Sequence, residues 1–170
     1  MTSPLILTLK LDQLTFERAN ALRQQYFPPD RNLVPAHITL FHALPGEQET
    51  VIKHHLQQVC NETPKMALEL PTLRFLGQGT AIEVDAPALV ALRQSLAATW
   101  QDWLTRQDRQ RYQPHITIQN KVAGAIARQT YEQLLEQWQP LNGSSEGLLL
   151  WYYCDSRWEL AEALQFISEA

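Results

Sequence analysis

The sequence predicts a chain of mixed strands and helices, built as two halves on one plan. Two observations lead there. The first is a repeated word, His37-Ile38-Thr39-Leu40 and His115-Ile116-Thr117-Ile118, whose copies stand 78 residues apart. The second is order. Each word follows a strand pattern, a helix pattern and a polar loop, and precedes another helix pattern and closing strand patterns. Chance gives about 0.1 His-x-Thr-aliphatic match in a chain of this composition. Two copies at matched places therefore point to internal duplication with pseudo-twofold symmetry.

In the first half, Leu5, Leu7, Leu9 and Leu11 alternate with Ile6, Thr8 and Lys10, the period of a strand. Phe16, Ala19, Leu22 and Tyr26 recur at helical spacing, and Pro28-Pro29 ends that helix. A polar loop, Asp30 to Pro35, leads into the first motif strand, His37 to Phe41. Val51, Ile52, His55, Leu56 and Val59 predict a second helix, and Met66, Leu68 and Leu70 another strand.

Gly77-Gln78-Gly79 reads as a turn between halves of about residues 1–76 and 77–170; as a phosphate loop the signal is very weak. Thr80, Ile82 and Val84 then alternate with Ala81, Glu83 and Asp85. Asp85 is expected to cap a helix that has Pro87 in its first turn and Leu89, Leu92, Leu96, Trp100 and Trp103 as its apolar stripe. The loop from Arg106 to Pro114 leads into the second motif strand. Tyr131, Leu134, Leu135 and Trp138 predict the next helix, and Leu148 to Cys154 and Trp158 to Ile167 the closing strands.

Composition narrows the function classes. The 170 residues are 45% hydrophobic, enough to fill a core, and carry a net charge of −4. That charge gives no general pull on long duplex nucleic acid, so a nucleotide would have to be held locally. Two cysteines, Cys60 and Cys154, are too few for a disulfide scaffold or a Cys-rich zinc site and fit free thiols. The start, Met1 to Leu11, lacks a basic region and reads as a first strand rather than a signal peptide. No apolar run is long enough to span a bilayer. A cytoplasmic monomer is the expectation.

The chemistry lies in the repeated word. In a strand, residues two apart share a face, so each copy presents an imidazole beside a hydroxyl. One histidine can act as a neutral base while another acts as a protonated acid. A phosphodiester needs both, with donors on the phosphoryl oxygens. His37 and His115 would be the acid–base pair, and Thr39 and Thr117 the donors. Two histidines are too few for a catalytic zinc, and His42, if the strand continues, falls on the face opposite His37. Neither a metal nor a cofactor is expected, and no Gly-x-Ser-x-Gly turn supports a serine triad.

Period two carries the His/Thr face on to Phe41 and Gln119. Phe41 would stack on a base or sugar, or fill the core; Gln119 is the weaker candidate. Arg106, Arg109 and Arg111 cluster before the second motif with Tyr112 following, and Arg31 stands in the matching first-half loop. Arg111 and Tyr112 are candidates to meet substrate at a cleft mouth, against the plainer alternative of a solvated loop. Trp100, Trp103 and Trp138 read as core, whereas Trp151 and Trp158 stay open.

The stretches from Pro35 to Pro45 and from Pro114 to Lys121, with the late Leu150-Trp151-Tyr152-Tyr153 and Trp158-Glu159-Leu160, resemble the two-histidine phosphoesterase superfamily in its bacterial 2′-5′ RNA ligase-like branch. The resemblance implies one bilobal α+β domain over residues 1–170, with two antiparallel sheets lining a central groove and helices packed outside. It implies metal-independent opening of 2′,3′-cyclic phosphates on RNA ends or nucleotides, leaving a 2′-phosphate, with 2′-5′ ligation as the reverse. It assigns the paired catalytic roles to His37, Thr39, His115 and Thr117. Two other readings compete: a non-catalytic binder of RNA ends or nucleotides, and a phosphodiesterase for a small non-RNA cyclic phosphate.

Overall fold

The computed structural model describes residues 2–168. Met1, Glu169 and Ala170, the ends of the predicted 1–170 domain, lie outside the described residues. The alternating leucines form β1 (Leu5–Leu11). Asp12 then caps α1 (Gln13–Tyr26), its carboxylate accepting from the Thr15 N–H at 2.9 Å and the Thr15 hydroxyl at 2.7 Å. The first half continues with β2 (Thr39–Leu44), α2 (Glu49–Cys60), β3 (Met66–Leu70) and β4 (Leu73–Phe75). The second holds β5 (Thr80–Glu83), α3 (Pro87–Thr99), β6 (His115–Gln119), α4 (Gly124–Gln137), β7 (Leu141–Cys154) and β8 (Arg157–Gln165).

The strands form two antiparallel sheets. One has the order β2-β1-β7-β3, with β8 also on β7; the other has the order β4-β5-β6. Each motif strand is therefore an edge strand beside the first strand of its half, and this much is a true repeat. The lobes do not follow the expected boundary near residue 76, however. β7 and β8 join the first-half sheet, and β4 joins the second-half sheet. The exchange follows from local chemistry. Gly77, at φ +88°, turns the chain so that β4 pairs with β5, and the buried Leu148 and Leu150 of β7 fit beside Leu9 and Leu7 of β1. α1 packs on β6 and β7 and so ties the two sheets together, while α4 covers β4 and β5.

Both motif strands carry a β-bulge just after the threonine. Leu7 faces Phe41 and Thr8 faces Thr39, so one step on β1 matches two on β2. Thr80 faces Gln119 and Ala81 faces Thr117, the same mismatch in the other sheet. An extra residue reverses which face the following side chains take. Leu40 and Phe41 are consecutively buried, and so are Ile118 and Gln119. Gly79 makes room for the second bulge, since a Cβ there would collide with the Gln119 carbonyl oxygen.

One apolar cluster runs through both lobes, including Leu7, Ile38, Phe41, Leu56, Ile82, Ile116 and Leu150. Each such side chain contributes about 1.5–3 kcal/mol on leaving water. Trp100 lies within this cluster, and Trp103 and Trp138 pack against it. Asp85 does not cap α3, which begins after Ala86 without a side-chain cap. Its backbone instead exchanges two hydrogen bonds with Glu69, 2.8 and 3.0 Å long, which ties β3 to the start of the helix. Cys60 and Cys154 are free thiols, and among the described residues no helix is long and apolar enough to cross a membrane.

Candidate active site

The two motif strands meet at one cleft of about 410 Å³, lined by His37, Thr39, His115 and Thr117 together. The histidines are held alike. His37 Nδ1–H donates to the Pro35 carbonyl at 2.8 Å, and His115 Nδ1–H donates to the Gln113 carbonyl at 2.8 Å. Each ring is thus tethered to the carbonyl two residues before it. This fixes the tautomer and leaves Nε2 as the free nitrogen. A proline stands at each strand entry: Pro35 supplies the carbonyl of the first tether, and Pro114 has no N–H to compete beside the second.

Burial lowers the proton affinity of both rings. It pushes the His37 imidazole down to about 4 despite the Pro35 hydrogen bond, helped by the nearby charges of Arg23, His42 and His115. His115 is lowered too, first by burial and then by Arg74, against the opposing pull of the Gln113 carbonyl and Glu83. Trp158, on β8, supplies part of the burial at His37, with ring centroids 4.8 Å apart.

Arg111 and Tyr112 line the cleft. The Tyr112 hydroxyl donates to the Thr39 carbonyl at 2.9 Å, so its polar end steadies the first motif strand. Arg109 is bound to the Leu104 and Gln101 carbonyls and serves the loop. Phe41 and Gln119 are not in the cleft, because the two bulges turn them inward. Phe41 is fully buried against Trp100 and the Arg93 guanidinium, the latter 4.1 Å from its ring centroid. Gln119 is buried and donates to the Thr130 hydroxyl at 2.9 Å.

The same bulge brings in His42, against the expectation that it faces away. It lines the cleft, with Asp108 behind it. Arg74 is a second addition. It sits on β4, is paired with Glu83, and places a guanidinium nitrogen 3.1 Å from the His115 ring. Its signal was absent from the sequence because the pairing of β4 with β5 is what brings it there. Among the described residues, no group of three or more His, Cys, Asp or Glu is arranged to hold a metal ion. Beyond His37 and Trp158 the cleft continues into an apolar groove of about 510 Å³, walled by Leu9, Phe16, Leu33, Leu149 and Trp151.

Comparison with known proteins agrees with this architecture. The protein TT0787 of Thermus thermophilus superposes with a TM-score of 0.69 at 15% identity, over 98% of this chain and 100% of that one. E. coli LigT complexed with 3′-AMP gives 0.68 at 15% identity, over 99% and 100%. E. coli LigT complexed with phosphate gives 0.65 at 16% identity, over 98% and 99%. At these identities the likeness concerns the fold. A search of curated proteins finds no match. A model of the 2′-5′ RNA ligase superfamily matches residues 12–157, a span that holds both motifs and every element from α1 to β7. The chain therefore belongs to the 2′-5′ RNA ligase superfamily.

Proposed function

We propose that this protein is a metal-independent phosphodiesterase that opens 2′,3′-cyclic phosphates on RNA ends or nucleotides. The observation that carries the reading is the matched pair of tethers, which turns Nε2 of both His37 and His115 free within one cleft. His37, kept neutral by burial, takes a proton from the attacking water. The water oxygen bonds to phosphorus, and the bond from phosphorus to O3′ breaks. His115, the other ring of the pair lining the cleft, gives its proton to O3′. The product is a 2′-phosphate, and each histidine ends in the other's protonation state. Thr39 and Thr117 donate to the phosphoryl oxygens, and Arg74 and Arg111 offset their charge.

With a 5′-hydroxyl in place of water, the same attack on the cyclic phosphate would form a bond from O5′ to phosphorus, break the bond from phosphorus to O3′ and leave a 2′-5′ linkage. The apolar groove beside His37 suits the organic part of a nucleotide, and the small cleft suits a single nucleotide or chain end rather than a duplex. The direct test is incubation of a nucleoside 2′,3′-cyclic phosphate with the protein and a chelator, followed by phosphorus NMR. A 2′-phosphate is expected. Loss of all activity on chelation would overturn the metal-free claim, and full activity in His37→Ala would overturn the mechanism.

A further inference from the structure

We propose that His42 is a third histidine that anchors substrate, donating from Nε2–H to a non-bridging oxygen of the phosphate between His37 and His115, and that Asp108 is the residue that positions it. The identity of the ligand rests on the phosphodiesterase reading above; the geometry does not.

His42 faces the same cleft, and its side chain is 48% exposed while that of Asp108 is 0% exposed. The His42 Nδ1 stands 3.0 Å from Asp108 Oδ1. The carboxylate also accepts the His42 N–H at 2.9 and 3.0 Å and the Ala43 N–H at 3.0 Å. Burial alone would raise the Asp108 proton affinity, but these donors outweigh it and keep the group ionised. An ionised acceptor requires a proton on Nδ1, and donation to a phosphate oxygen requires a second on Nε2, so the ring acts as the imidazolium with Nε2–H towards the cleft. Asp108 is itself fixed, since its carbonyl accepts from Arg93 Nη2 at 2.7 Å.

The carboxylate already has two backbone donors in β2, so holding that strand does not require an imidazole. A ring retained for the fold alone gains nothing by lining the cleft. The equivalent position after the second bulge is Asn120, which does not line it. The cleft is thus twofold in its His/Thr pairs and one-sided in His42. A phosphodiester with two different ester oxygens needs such a one-sided contact to be held in a single orientation. Besides Asp108, the other ionisable groups lining the cleft are Arg74, Arg93, Arg111, Tyr112, His37 and His115, and the three guanidiniums favour an anion there.

The test uses two isosteric changes. In His42→Asn the amide keeps a donor where Nδ1 stood and so keeps the Asp108 contact, but the donor in the cleft is lost. In His42→Gln the amide reaches towards the Nε2 position. On a nucleoside 2′,3′-cyclic phosphate, H42N is expected to raise KM about 10- to 100-fold, the range of a hydrogen bond to a charged group, with a much smaller change in kcat. H42Q is expected to recover part of that loss. Wild-type KM in a stably folded H42N overturns the proposal, and so does an equal loss of kcat and KM in both variants. If the wild-type protein turns over no cyclic phosphate, the phosphodiesterase reading fails by itself. His42 is then judged with inorganic phosphate and 15N-histidine NMR: a phosphate-dependent shift at Nε2 with weaker binding in H42N supports it, and equal binding overturns it.

Discussion

Arg23 on α1 donates to the backbone carbonyl of Thr117, 2.8 Å away on the strand that carries the second motif. Arg93 on α3 answers from the other half, donating Nε–H to the Leu40 carbonyl at 2.9 Å. Both arginines are buried, and each reaches the motif strand that the opposite half supplies. His37, just before β2, and His115, on β6, can meet one phosphate only if the two sheets keep their spacing. The crossed arginines, with α1 packed on β6 and β7, set that spacing.

Arg23→Met should therefore lower both stability and activity. It leaves the Thr117 carbonyl and the Asn32 side chain without their donor, at a cost of about 1–3 kcal/mol. Denaturant unfolding reads the first effect and kcat the second. Arg23→Lys should recover little, because a single ammonium does not reproduce the fork that serves both partners. A stable, fully active R23M would show that the sheets hold their spacing without it.

The histidine pair should act on rate and not on folding. His37→Asn and His115→Asn each keep a donor near the tethering carbonyl while removing Nε2. Each is expected to lower kcat about 10²- to 10⁴-fold with little change in unfolding midpoint. The double variant should lose less than the product of the two single losses, because the two groups act in one proton circuit. Near-normal turnover in either single variant excludes the acid–base assignment.

Protonation of His37 gives a pH signature. Its folded affinity is pushed by burial from 6.5 down to about 4, so the unfolded chain binds a proton that the folded protein refuses between those values. The stability from this site is fully present above about pH 6.5 and is lost as pH falls towards 4, by on the order of 1–3 kcal/mol. Thermal unfolding from pH 8 to 4 reads the loss, and His37→Asn should flatten it. His115 is lowered too, so the kcat/KM profile should peak on the acid side of neutrality. A phosphate anion in the cleft favours the charged rings and should stabilise the protein more at pH 5 than at pH 8.

The repeated motifs, both first strands and all four helices were legible in the sequence, because period and end signals are local. The exchange of β4 and β7 between lobes was not, since strand pairing is decided by which buried faces fit. Alternation also placed Phe41 and Gln119 on the site face and His42 away from it. The matched bulges invert all three, and nothing in the chain around Leu40 or Ile118 announces an extra residue in the ladder.

Phe41 tests this inversion directly. As a core residue packed on Trp100 and Arg93, it should respond to Phe41→Ala with about 3–5 kcal/mol of lost stability. Phe41→Leu should cost less and leave KM unchanged. A KM effect in a stable F41L would return the ring to the cleft and remove the first bulge from the account.

Trp158 couples the closing hairpin to the catalytic histidine. Its ring stands 4.8 Å from the His37 ring, and the hairpin is set by Asp155 and Ser156, both at positive φ, a two-residue turn that suits the twist of β7 and β8. Removing the indole opens His37 to water, which eases burial, the largest cause of its low proton affinity. Trp158→Ala should thus move the acid limb of kcat/KM up towards 6.5 and shrink the stability loss on acidification, while Trp158→Phe keeps much of the wild-type profile. The His37 ring proton shifts, followed by NMR from pH 4 to 8, give the same quantity without substrate. An unchanged titration in W158A would mean that the β1 and β2 side of the cleft alone keeps water from the ring.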